Sequence, residues 1–289
     1  METIKKIFSP ITGTINYIQN HFKAMVFVLI LILIFSPMSK QELNTYNLEK
    51  ISLAGPIMDA TEIVAKINNA ANNNAVKGVL LCVDSPGGAV APSIEISYAI
   101  KRLKEKKPVI AYAKGTMASG SYYASIWADK IIANPGSMVG SIGVIMQGAD
   151  LSGIMEKIGI KSQVVKAGLY KQIGTPDRPW NKYEITELNK VIQGTYDMFT
   201  SDVAKARKLD IKKRDTYANA HIFTAAQAKN VGLVDSLGVE FDAKNELVKL
   251  SGLTNPVWNR EDKFDKLMKR FTASTAVIIN TYFPALTLK

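Results

Sequence analysis

Histidine and cysteine are almost missing, with two of the first and one of the second in 289 residues. A zinc site of the usual His/Cys kind needs more ligands than that. A Ser-His-Asp triad has one candidate base, His221, because His21 precedes a long apolar run and falls on the far side of a membrane from any catalytic body. The single cysteine, Cys82, sits inside Val79-Leu-Leu-Cys-Val83, a core position, and no intramolecular disulfide can form. Internal repeats and low-complexity segments are absent. So are RNP, zinc-finger and helix-turn-helix signatures, although Lys and Arg outnumber Asp and Glu by 36 to 25 and the net charge is +11. The basic residues are spread along the chain. An anionic membrane surface therefore suits them better than nucleic acid.

One long hydrophobic run is present, Ala24-Met-Val-Phe-Val-Leu-Ile-Leu-Ile-Leu-Ile-Phe35. It is short against the roughly 20 apolar residues of a spanning helix, and its length also suits a signal-peptide core. No small-x-small cleavage site follows, and no polar face interrupts the run. An uncleaved signal anchor is preferred. Lys5, Lys6 and Lys23 precede it and Lys40 follows closely. That bias puts the N-terminus inside and the body of the protein outside the cytoplasm.

Beyond a polar linker, strands and helices alternate. Strands are expected at 50–57, 78–84, 108–113 and 130–134, with a further one at 160–166. Helices are expected at 61–74, 92–104, 181–208 and 224–230. The run Gly78-Val-Leu-Leu-Cys-Val-Asp84 is continuously apolar, as in a parallel sheet covered on both faces. The 181–208 helix carries a stripe of Ile185, Leu188, Val191, Ile192, Tyr196, Phe199 and Val203. The alternation argues for βαβ units and an α/β fold. The tail, 256–289, combines an amphipathic helix with an apolar end.

The stretch Gly115-Thr-Met-Ala-Ser119-Gly-Ser-Tyr-Tyr123 follows an apolar strand and opens a helix. A serine there meets unpaired backbone N–H groups and a dipole that favours negative charge. That suits a nucleophile whose attack creates an oxyanion. An ordinary N-cap serine is the plainer explanation, and taken alone the stretch favours it. Asp84 precedes a tight turn and has no histidine to orient, so it is assigned a structural role. His221 is assigned to packing or the surface.

Several motifs in one order change the balance: Asp84-Ser-Pro-Gly-Gly88, Met117-Ala-Ser119-Gly-Ser-Tyr-Tyr123, Gly140-Ser141-Ile-Gly-Val144, Gly168-Leu-Tyr-Lys171 and Gly232-Leu-Val-Asp235. Together they resemble the signal peptide peptidase A family of membrane-anchored Ser-Lys proteases in its short form, over roughly residues 50–245. Ser121 stands where that family commonly has glycine. The resemblance implies a ClpP/crotonase-like fold of stacked βαβ units around a parallel sheet, preceded by one N-terminal transmembrane helix. It implies a cytoplasmic segment at 1–23, an anchor at 24–40, a protease domain at 41–255 and a tail at 256–289.

The roles it implies are residue-specific. Ser119 is the nucleophile, which as an alcohol needs a base. Lys171 is that base, and a lysine, with an ordinary pKa of about 10.4, must be desolvated to serve. Ser141 orients the lysine. The backbone N–H groups of Gly88 and Gly120 form the oxyanion hole. No cofactor or metal is implied. The implied substrates are remnant signal peptides or other hydrophobic peptides at the membrane. The implied assembly is a homo-oligomeric ring in which neighbouring subunits complete the site. The implied location is the bacterial inner membrane, single-pass, with the catalytic domain outside the cytoplasm. Two other readings stay open: an acyl-CoA hydratase or isomerase on a related fold, and a membrane-anchored scaffold without chemistry.

Overall fold

The computed structural model describes residues 17, 19–28 and 46–259. The chain divides into two units, Met1–Thr45 and Tyr46–Lys289. In the first, residues 19–28 are helical. No helix among the described residues is long and apolar enough to cross a membrane. The anchor expected at 24–40 lies largely outside the described residues, as does all but the start of the 256–289 tail.

The second unit is built on a seven-stranded sheet. Parallel strands β1 (Leu48–Ala54), β2 (Gly78–Ser85), β3 (Val109–Ala118), β4 (Lys130–Ala133) and β7 (Ser236–Leu237) lie side by side in that order. Strand β5 (Met138–Gly140) pairs parallel with the far end of β3 and antiparallel with β6 (Ile222–Thr224). Between the strands run α1 (Thr61–Asn72), α2 (Val90–Lys104), α3 (Gly120–Ser125), α4 (Ser152–Lys157), α5 (Lys182–Arg207) and α6 (Ala225–Asn230). A last helix, α7 (Glu240–Ser251), follows β7.

The continuous apolar run in β2 has the expected cause. Val79, Leu81 and Val83 enter one core, and Leu80 and Cys82 enter a second on the opposite face. Helix α7 contributes Ala243 and Leu247 to that second core. Burying a side chain such as Leu81 contributes roughly 1.5–3 kcal/mol. Strand β3 alternates in the same way, with Val109, Ala111 and Ala113 opposed to Ile110 and Tyr112.

Strand β3 runs further than the sequence suggests. Its first half, Ile110–Ala113, pairs with β4, and its second half, Thr116–Ala118, pairs with β5. The carboxylate of Asp84 accepts the Thr116 N–H (3.0 Å) where β3 changes partner, which gives Asp84 its structural role. The strand expected at 160–166 does not form. No strand runs through those residues, which are all exposed. The long helix is present, but its apolar stripe divides. Phe199 and Val203 are buried, whereas Ile185 and Val191 are exposed.

Candidate active site

Where β3 ends, Ser119 turns the chain into α3 with φ 53° and ψ −123°. Positive φ is uncommon for a residue with a side chain and costs of order 1–3 kcal/mol. Backbone bonds hold the turn. The Ser119 N–H donates to the Gly140 carbonyl at the end of β5 (2.8 Å), and the Ser119 carbonyl accepts the Tyr123 N–H (3.0 Å). Ser121, which stands where the resembling family commonly has glycine, reinforces it. Its fully buried hydroxyl accepts the Ala118 N–H (2.9 Å) and donates to the Ser85 carbonyl (2.7 Å). The nucleophile turn is thereby tied to the end of β2.

The Ser85–Ala89 loop approaches from the other side. Ile57 and Gly88 form a parallel bridge, in which the Ile57 N–H donates to the Gly87 carbonyl and the Ile57 carbonyl accepts the Ala89 N–H, both at 2.8 Å. That pattern uses the groups on either side of Gly88 and leaves its own N–H out. The Gly88 nitrogen lies 3.3 Å from where Gly120 would carry a Cβ. Among the described residues, neither the Gly88 nor the Gly120 N–H has a protein acceptor. Gly87 cannot be replaced freely. Its φ is +94°, and a Cβ there would stand 2.6 Å from the Gly120 nitrogen.

Ser119, Gly88 and Gly120 line one cavity of about 100 Å³. Its walls are mainly apolar: Val90 and Ile94 from α2, Tyr123 from α3, Ile145 from the loop after β5, and Met198 and Phe199 from α5, with Ser93 and Thr195 as polar members. A hydroxyl, two unpaired N–H donors and an apolar recess can together hold a carbonyl group and a hydrophobic side chain beside it.

The other expected residues are placed differently. Ser141 directly follows Gly140, the backbone partner of Ser119. It is half-buried with φ 50°, and its N–H donates to the His221 carbonyl (2.7 Å). His221 itself is exposed and serves through that carbonyl, with its ring near Phe223. Lys171 lies on an exposed turn and does not line the cavity. Among the described residues its amine has no ion pair or hydrogen bond.

The Lys171 loop is fastened behind that residue. Arg178 donates to both carboxylate oxygens of the buried Glu184 in the first turn of α5 (2.8 and 2.7 Å) and also reaches the Gln172 carbonyl (3.4 Å). The Trp180 indole N–H donates to the Thr175 carbonyl (3.3 Å). The Arg178 guanidinium, helped by the Asn181 N–H, holds the Glu184 carboxyl at about 2. The signal for this clamp was the Asn181-x-x-Glu184 spacing of a capping box.

The Peptidase family S49 model matches residues 101–254. The chain is 42% identical over 198 residues to a protein of Methanocaldococcus jannaschii that carries a provisional protease name, covering 68% of this chain and 64% of that one. It is 38% identical over 208 residues to a similarly named protein of Synechocystis, covering 72% and 75%. To the chloroplast serine protease SPPA of Arabidopsis thaliana it is 31% identical over 189 residues, which is 65% of this chain but 28% of the plant protein.

Proposed function

The chain belongs to peptidase family S49, the signal peptide peptidase A family, and is a protease; from that premise we propose that it is a serine endopeptidase using Ser119 and Lys171. The strained turn at Ser119, opposite the free N–H groups of Gly88 and Gly120, carries this reading. The hydroxyl attacks the scissile carbonyl while a neutral Lys171 amine takes its proton. The carbonyl oxygen becomes an oxyanion held by the two N–H groups. The tetrahedral species collapses, the lysine returns the proton to the leaving amine, and an acyl-Ser119 remains. Water, deprotonated by the same lysine, then releases the acid.

Lys171 needs a cover that one chain does not give. It closes a segment whose large side chains Ile145, Ile154, Ile158, Val165 and Leu169 are exposed. An apolar surface of this kind suits burial against a second copy. The proposed enzyme is therefore a homo-oligomer in which Lys171 reaches the Ser119 of a neighbour and Ser141 orients it. The apolar cavity suits hydrophobic peptides. A membrane anchor at 24–40, with the catalytic body outside the cytoplasm, would bring remnant signal peptides to it.

The test is cleavage of a hydrophobic peptide by the full chain, by Ser119→Ala, by Lys171→Ala, and by the two variants refolded together. Each variant alone should be inactive and remain folded. The mixture should regain part of the activity, since some sites then pair an intact serine with an intact lysine. Full activity in Ser119→Ala would overturn the serine mechanism and favour hydratase-like chemistry. No recovery in mixed oligomers would place both residues in one chain.

A further inference from the structure

Tyr123 links the nucleophile to the far wall of the cavity. Its backbone N–H starts α3 by bonding the Ser119 carbonyl (3.0 Å). Its ring is one wall of the recess. The side chain then leaves α3 for α5, where its hydroxyl donates to the Asp202 carboxylate and its ring meets Phe199 edge-on, with centroids 4.8 Å apart. Among the described residues this is the one side-chain hydrogen bond between α3 and α5. Tyr123 is 3% exposed, and a buried phenol needs an acceptor.

On α5 the spacing matters. Thr195, Met198 and Phe199 line the cavity, and Asp202 follows at the i+7, i+4 and i+3 positions, on the same helix face. The carboxylate that grips Tyr123 therefore lies one turn beyond the side chains that close the recess. Apart from Glu184 in its first turn, α5 is buried only at Phe199, Thr200, Val203 and Ala204. Its cavity-lining turn overlaps that docked part only at Phe199, with Thr195 and Met198 ahead of it at the edge of the packed region.

We infer that Asp202, acting through Tyr123, is a positioning residue that fixes the gap between the α5 wall and Ser119, and so limits the side chain accepted next to the scissile bond to a small aliphatic one. The other polar ties of this part of α5 run elsewhere, from Tyr196 to the Asn219 N–H, from Asp197 to Arg214 and from Arg207 to Asp235, so without the Tyr123 bond no side-chain hydrogen bond among the described residues joins α5 to α3. Tyr123→Phe leaves the Asp202 carboxylate facing an apolar ring, and Asp202→Ala leaves the phenol without its acceptor; in either case the group left unpaired draws water between α3 and α5, which moves the wall outward and enlarges the recess. The inference rests on the endopeptidase reading for its meaning, but its geometry is tested without catalysis.

The experiment compares full-length wild type, Tyr123→Phe, Asp202→Ala and Asp202→Asn. The substrates are peptides that differ only in Ala, Leu or Phe before the scissile bond. Tyr123→Phe and Asp202→Ala should reduce the kcat/KM preference for Ala and Leu over Phe by about tenfold, with the change in KM exceeding that in kcat. Asp202→Asn keeps an acceptor for the phenol and should restore the wild-type preference. In parallel, dissociation constants of the same peptides are measured in a Ser119→Ala background with and without Asp202→Ala. A shift towards Phe in binding supports the inference even if no peptide is cleaved, in which case only the endopeptidase reading fails. An unchanged size preference in both binding and cleavage overturns it, as does an equal loss for all peptides alongside a lower melting temperature. Tyr123→Phe removes a single oxygen and decides the matter if Asp202→Ala does not fold.

Discussion

The Ile57 carbonyl oxygen stands 2.1 Å from where Gly88 would carry a Cβ. No side chain fits there, because the obstruction is backbone on a bridge that also fixes Gly87 and Ala89. Gly88→Ala must push its loop away from Ile57 and so move its N–H relative to Ser119. The expected result is a folded protein whose kcat falls by about 10²–10³-fold, the range for losing one oxyanion donor, with KM changed less. Steady-state kinetics on a hydrophobic peptide checks it. A raised KM with kcat unchanged would mean that the substitution disturbs substrate binding and not the oxyanion hole.

Ser121 offers a cleaner separation of support from chemistry. Its hydroxyl is the acceptor for the Ala118 N–H and the donor to the Ser85 carbonyl. Either Ser121→Ala or Ser121→Gly leaves buried backbone groups without partners. A loss of about 1–3 kcal/mol is expected for each, read by urea denaturation. The glycine variant should be the less stable of the two, because glycine in a helix costs about 1 kcal/mol relative to alanine. Equal stability with wild type in either variant would show that these bonds do not matter.

Much of this site is legible in the chain itself. The unbroken apolar run of β2, the glycine pair at 87–88 and the serine after β3 are local patterns with local physical causes. What escaped depends on distant partners. Strand β3 continues past Gly115 because β5, from later in the chain, pairs with Thr116–Ala118, and the Asp84 carboxylate, from another strand, holds Thr116 where the partner changes. The apolar residues around 160–166 suggested a strand, yet hydrophobic character does not make a strand without a neighbour to pair with. Asp202 stood beside Phe199 and Val203 at the buried end of a helical stripe, an odd place for a carboxylate, and only the Tyr123 hydroxyl explains it. The Ser119–Lys171 pairing rests on the order of the motifs, and one chain does not bring Lys171 to the cavity.

The Arg178–Glu184 clamp predicts a pH dependence with a definite sign. Glu184 is lowered from its ordinary 4.5 to about 2, chiefly by its bonds to Arg178. A depressed carboxylate stabilises the fold fully above its ordinary value and loses that contribution as the pH falls through about 2. Arg178→Ala should therefore be less stable than wild type at neutral pH, and the gap should narrow as the pH drops below 4.5. Thermal melts of both proteins across that range test it. A gap that stayed constant down to the acid limit would mean that the clamp acts by packing and not by charge. Because the clamp fastens the loop that carries Lys171, peptide cleavage should also fall at neutral pH.

The backbone at Ser119 makes a prediction opposite to the usual rule. Replacing alanine by glycine normally destabilises, because glycine has more freedom to lose on folding, by about 0.4–1 kcal/mol. At φ 53° and ψ −123°, however, any residue with a Cβ is strained by about 1–3 kcal/mol, and glycine is not. Ser119→Ala keeps the strain and Ser119→Gly releases it. Both should be inactive, and the glycine variant should be the more stable by up to about 2 kcal/mol once the entropy cost is subtracted. It should also exceed wild type, since the strain belongs to the native serine. Chemical denaturation of the three proteins decides the point. A glycine variant less stable than alanine would mean that the turn is relaxed and that the serine's geometry is not maintained at the expense of stability.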